Sequence, residues 1–268
     1  MSIKLGVIGC GKMSYAILNG LHNNKSINIG QSIINDIDDK RTNLFAQEFN
    51  GIIKKQGDLI RLSDVIILAV KPNEIENILK KNLDYFDENK LIISIAAGIK
   101  IATIENLFNS KFPVVRAMPN TPALIGEGVT AITGGQYTLA KDIKLAEQIF
   151  NSMGKTYVVE EKHMDAVTAI SGSGPAYVYL IVETLINSGV SIGLDNSLAK
   201  DLVIDTIKGS IAMIEESSKH PAQLLGEVCS PAGTTIAAIK KLEEEGLRSA
   251  LYKGVNEAFL RAQELGLK

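Results

Sequence analysis

Gly6-Val7-Ile8-Gly9-Cys10-Gly11-Lys12-Met13-Ser14 decides the fold. The stretch closes a short β-branched run at residues 4–9 and opens an amphipathic segment at residues 12–23. At such a junction, glycines let the chain turn tightly. They also bring backbone N–H groups close to a pyrophosphate at the positive end of the helix dipole. Ser14 replaces the third glycine of the GxGxxG pattern and is small enough to keep helix and strand closely packed. A glycine-rich string alone also makes a plain turn, but between a strand and a helix it favours cofactor binding.

Outward from that turn, runs at 28–35, 64–70, 91–96 and 114–118 read as further strands. Segments at 38–49, 73–83 and 101–108 have helical spacing between them, with Asp38 as an N-cap. This alternation marks βαβ units around a buried parallel sheet. A strand at 129–132, a helix near 140–153 and a strand at 157–159 extend the layer. After Glu160 the texture changes, and long apolar-periodic segments at 161–191, 195–218 and 246–266 predict helices, with shorter ones at 221–228 and 234–244. The expected architecture is an α/β, Rossmann-type dinucleotide-binding domain at residues 1–160, followed by an all-α domain at 161–268. Long apolar faces on so small a helical domain point to a homodimer that buries them.

With 268 residues, 46% of them hydrophobic and 22% charged, the chain has ample material for two packed domains. A net charge of −2 and no Lys/Arg block with interleaved aromatics argue against nucleic acid. Cys10 and Cys229 have no metal-ligand or disulfide spacing, so no metal is expected and reducing cytoplasm fits. Met1 leads straight into strand-like sequence without the pattern of a leader. The apolar stretch 176–190 is interrupted by Glu183 and is shorter than the roughly 20 residues of a membrane span, so no membrane helix is expected.

Other positions stay open on physical grounds. Asp36 stands where a residue meets the adenosine ribose: an acid there suits a free 2′-hydroxyl and NAD, whereas Asn35, Lys40 and Arg41 suit a 2′-phosphate and NADP. Asp36 is equally readable as a turn residue. Ala69-Val70-Lys71-Pro72 and Ala96-Ala97-Gly98 lie at strand carboxyl ends, where small residues leave room for a cofactor or merely fit crowded turns. Ser230-Pro231-Ala232-Gly233-Thr234-Thr235-Ile236 precedes a helical run, so its N–H groups and threonine hydroxyls suit a carboxylate, with a plain N-cap as the simpler reading. Ser171-Gly172-Ser173-Gly174-Pro175 is either a helix break or a substrate loop.

Together with Arg116-Ala117-Met118-Pro119-Asn120-Thr121-Pro122, these blocks resemble the pyrroline-5-carboxylate reductase family. The resemblance covers essentially the whole chain, and its most specific part runs from Ser230 to Ile236 and on through Leu242, Gly246 and Arg248. It implies reduction of L-1-pyrroline-5-carboxylate to L-proline with NADPH or NADH, in a homodimer or a ring of dimers, with the active site between the domains and contributions from the partner chain. Carried over by position, Ile8, Gly9, Cys10, Gly11, Lys12 and Met13 would hold the pyrophosphate. Asn35 and Gln56 would meet the adenosine side, and Ala69, Val70, Lys71, Pro72, Ile95, Ala96 and Ala97 the inner cofactor wall. Ser230, Gly233, Thr234 and Thr235 would receive the substrate, and Thr235 would hydrogen-bond the imine nitrogen. Family members usually carry glycine where this chain has Ala232. A positive φ there would strain it.

Two other readings remain at this level. A β-hydroxyacid-type dehydrogenase shares the domain plan and would use a lysine of the helical half, for which Lys200, Lys208 and Lys240 are available. A dinucleotide-sensing dimer would bind cofactor without turnover. His22, His163 and His220 have no nucleophile or metal spacing and read as surface or interface residues.

Overall fold

A computed structural model describes residues 3–24, 30–108 and 111–266. Among these, eight strands form one sheet: β1 (Leu5–Ile8), β2 (Ile33–Asn35), β3 (Ile52–Ile53), β4 (Val65–Leu68), β5 (Leu91–Ser94), β6 (Val114–Met118), β7 (Gly128–Gly134) and β8 (Gly154–Val158). Their order is β3-β2-β1-β4-β5-β6-β7-β8. The first two residues of the strand expected at 28–35 lie outside the described residues.

Strand periodicity explains the layers, because successive side chains point to opposite faces. Val65 and Ile67 of β4 join one apolar cluster, and Ile66 and Leu68 join the other. The first face is covered by α1 (Lys12–Asn23), α2 (Asp39–Phe49) and α6 (Ala140–Asn151), through Ile17, Phe45 and Phe150 among others. The second is covered by α3 (Gln56–Leu62), α4 (Pro72–Lys81) and α5 (Ile101–Glu105), through Leu59, Leu79 and Ile104. Burying each such side chain contributes about 1.5–3 kcal/mol. Asp38 caps α2 as expected, accepting from the Lys40 and Arg41 N–H groups.

The sheet is parallel from β3 to β6, but β7 runs antiparallel to β6. The expectation of a parallel sheet therefore holds only as far as Met118. The link between β6 and β7 carries one 3-10 turn, Thr121–Ile125, and is too short for the helical crossover that a parallel pair needs. The α6 crossover restores parallel pairing between β7 and β8.

The second half is helical: α7 (Met164–Val167), a π turn (Thr168–Gly172), α8 (Gly174–Ser191), α9 (Asn196–Ser217), α10 (Pro221–Val228), α11 (Thr234–Glu244) and α12 (Leu247–Leu265). The chain forms two compact units, residues 1–175 with 258–268 and residues 176–257. Residues 161–175 thus belong with the sheet, where Glu161 accepts the Ile101 N–H at 2.8 Å. The end of α12 also belongs there, with Leu265 beside Gly98. In the unit 176–257, Ala199 is the one buried residue, while Leu180 and Leu202 are 64% and 50% exposed. The helical run Glu161–Ser191 has 31 residues, long and apolar enough by length and composition to cross a membrane. It outruns the stretch 176–190 because the turns at 161–172 continue into α8.

Candidate cofactor and substrate sites

The strand order reverses beside β1, from which the chain first runs outward through β2 and β3 and then crosses back to β4 on the other side, and this is where open α/β sheets bind ligands. Gly9 leaves β1 with φ +101°, and a Cβ there would stand 2.4 Å from the Ala69 carbonyl oxygen. No other residue fits. Gly11 is the N-cap of α1, with open space where a Cβ would project and no side chain capping the first turn. Ser14 is fully buried and donates its hydroxyl to the Gly9 carbonyl, so the third position of the motif locks the turn. The cradle and the uncapped donors suit a dinucleotide pyrophosphate.

A cleft of about 680 Å³ opens there. Of the residues expected to bind cofactor, Ile8, Gly9, Gly11, Asn35, Gln56, Ala69, Val70 and Lys71 line it. Cys10, Lys12, Met13, Pro72, Ile95, Ala96 and Ala97 do not. Cys10 is buried, with its thiol pushed up to about 12, first by burial and then by the Asp36 charge. Its N–H donates to Asp36 Oδ2 at 2.5 Å and is not offered to a ligand. Lys12 and Met13 form the first turn of α1, Pro72 starts α4, and Ile95 and Ala96 pack towards the two cores.

Asp36 accepts from Cys10 with one oxygen and from the Asp38 N–H at 2.9 Å with the other. Its turn-bracing role is therefore structural fact. Asn35 donates to the Lys54 carbonyl at 2.7 Å, and Arg41 pairs with Asp38 at 3.3 Å on the cleft rim. Sequence reasoning missed Glu74, Asn77 and Lys81 of α4, which also line the cleft. The i, i+3, i+7 spacing puts them on one helix face, and that was the available signal.

In the helical unit, Gly233 is the N-cap of α11 with no side-chain cap, so the Thr234, Thr235 and Ile236 N–H groups lack intrahelical acceptors. Gly233 donates to the Ser230 carbonyl at 3.1 Å, and a Cβ on it would meet Ser230 Oγ at 2.2 Å. Ala232 has φ +56°, the positive φ foreseen as a source of strain. Neither threonine is the cap, because both lie inside the helix. Lys208 and Lys240 are paired with Asp205 and Glu244 on exposed helix faces, which is no setting for a catalytic amine.

Residues 161–265 match the family described as pyrroline-5-carboxylate reductase dimerisation, and residues 4–98 match NADP oxidoreductase, coenzyme F420-dependent. The pyrroline-5-carboxylate reductase of a Synechocystis strain is 39% identical over 100% of both chains. The chain belongs to the pyrroline-5-carboxylate reductase family. The reductase of Corynebacterium melassecola is 42% identical over 76% of this chain and 77% of its own. The solved Plasmodium falciparum pyrroline carboxylate reductase, described with NADP bound, superposes with a TM-score of 0.89 at 35% identity, over 98% of each chain.

In this member of the pyrroline-5-carboxylate reductase family, the Arg116–Pro122 block holds residues 161–172 against the sheet. Arg116, 4% exposed, reaches Glu161 at 3.4 Å and Asp165 at 3.3 Å. Asn120 donates to the Ser171 carbonyl at 3.0 Å and accepts the Val129 N–H at 2.9 Å. His220 caps α10 by accepting the Ala222 N–H, which accounts for that histidine without chemistry.

Proposed function

We propose that the chain reduces L-1-pyrroline-5-carboxylate to L-proline, the last step of proline biosynthesis, with NADPH and with NADH as an alternative donor. Two helices that begin on uncapped glycines carry this reading: α1 at the cleft and α11 at Gly233. One suits a pyrophosphate and the other a carboxylate. The relatives' names and the NADP in the Plasmodium falciparum structure support the same assignment.

When bound, the nicotinamide supplies the hydride. A protonated C=N bond is already electrophilic, and the product amine keeps its proton, so the chain needs no strong general acid. Its work is positioning. Gly9, Gly11 and the first turn of α1 hold the pyrophosphate; Asn35 and Gln56 stand on the adenosine side, and Ala69 to Lys71 form a wall. Ser230, Gly233 and the Thr234 N–H receive the carboxylate, and the Thr235 hydroxyl oxygen accepts from the protonated ring nitrogen. Residues 1–160 serve the cofactor, and 161–268 serve substrate and assembly.

The exposed apolar helices of 176–257 are covered by a second copy, in a homodimer or a ring of dimers, working in the cytoplasm without membrane or nucleic acid. Incubating the purified protein with pyrroline-5-carboxylate and either cofactor tests the reaction. Oxidation of NADPH matched by proline formation is expected. Cofactor binding without turnover would instead support the sensor reading.

A further inference from the structure

We propose that Asn120 is a positioning residue for imine reduction, acting through the π turn at Thr168–Gly172; this rests on the reductase reading above. In an α-helix the carbonyl of residue 171 would accept from the N–H of residue 175. Residue 175 is proline and has no N–H. Asn120 supplies the missing donor, its Nδ2 lying 3.0 Å from the Ser171 oxygen.

The side chain is committed to this task. Asn120 is the N-cap of a 3-10 turn, a place where asparagine ordinarily caps the following N–H groups, yet it makes no side-chain cap bond. It reaches instead to Ser171 and to the Val129 N–H, and it is buried. Arg116 and Met118 share one face of β6, and Asn120 follows two residues on, just past the end of the strand. Arg116 fastens Glu161 and Asp165, Met118 packs at Gly172, and Asn120 fastens Ser171. The segment is thus anchored from its start to the middle of the π turn.

A π turn is rare and is frequently found at functional sites. Here it is closed by the Ser173 N–H on the Thr168 carbonyl at 2.9 Å. The small residues Ser171, Gly172, Ser173 and Gly174 leave the backbone approachable, and nothing lies within 4 Å of where a Gly174 Cβ would stand. Without the Asn120 bond the turn is free to relax to α-helical register, which moves Gly174 and Pro175 by one position. Glu161 also accepts the first N–H of α5, so the same segment is fastened to the helix that follows β5 as well as to β6.

The test uses the full-length assembled protein with Asn120→Asp and Asn120→Ala, each alone and combined with Pro175→Ala. Asn120→Asp keeps the acceptor for Val129 but sets an acceptor-only, charged oxygen where the donor stood, whereas Asn120→Ala removes both bonds without adding charge. The readouts are kcat/KM for pyrroline-5-carboxylate, NADPH Kd and thermal midpoint. Both single variants are expected to lose at least about tenfold in kcat/KM, roughly one buried hydrogen bond's worth, with NADPH Kd changed less than about twofold. Pro175→Ala returns an N–H to the turn and is expected to recover part of the Asn120→Ala loss. Unchanged kcat/KM in both single variants, an equal loss of NADPH affinity, or no recovery by Pro175→Ala in folded protein would overturn the proposal. A wild type that turns over no imine would bring down the reductase reading itself.

Discussion

Gly9 and Ala232 both have positive φ, and the difference between their side chains makes opposite predictions. Gly9→Ala would drive a methyl into the Ala69 carbonyl at 2.4 Å, so NADPH binding should fall at least tenfold in titrations, even if the fold survives. Ala232→Gly removes left-handed strain of about 1 kcal/mol. It should raise the thermal midpoint by a few degrees while leaving NADPH Kd unchanged. A lower midpoint would show that the alanine is not strained. Cys10 adds a pH effect. Its thiol keeps its proton up to about 12, whereas an ordinary thiol releases it near 9.0. The folded state therefore binds more protons across that window, and stability should decline as pH rises from 9 towards 12, with no contribution below it. Denaturation of wild type and Cys10→Ala across that range would reveal a smaller decline in the variant. At neutral pH the thiol should also resist alkylation.

At the scale of elements, legibility followed locality. The turn from β1 into α1 was readable because its glycines, its strand and its helix adjoin in sequence. The capping of α2 by Asp38 was readable for the same reason. β3 was not, because two exposed isoleucines, Ile52 and Ile53, carry no periodicity. α3 was missed because its buried pair, Leu59 and Ile60, is too short a pattern for a period of 3.6. The reversal of β7 follows from link length and was foreseeable. The loop at 230–236 was placed before a helix, but its cap was not named: Gly233 is the N-cap of α11 and the threonines follow it. The π turn lay beyond a local reading, since the donor that completes it is 51 positions away in Asn120.

At the scale of the molecule, the sheet unit has two apolar cores while the unit 176–257 has almost none of its own. Such an array of helices is stable only when covered, and the dimerisation family match over 161–265 agrees with that physics. A charge placed on this surface, as in Leu202→Glu, should shift sedimentation towards the monomer and lower the thermal midpoint. Unaltered assembly would show that this face is not the interface. Assembly and turnover should then fail together, because the loop at 230–236, proposed to receive the substrate, belongs to the same unit.

Thr235→Ala tests the central claim most directly, by steady-state NADPH oxidation with pyrroline-5-carboxylate on folded, assembled protein. If the hydroxyl orients the imine, kcat/KM falls about tenfold to a hundredfold while NADPH Kd stays the same, as for loss of a hydrogen bond to a charged group. An unchanged kcat/KM would contradict the assignment of this loop as the substrate site.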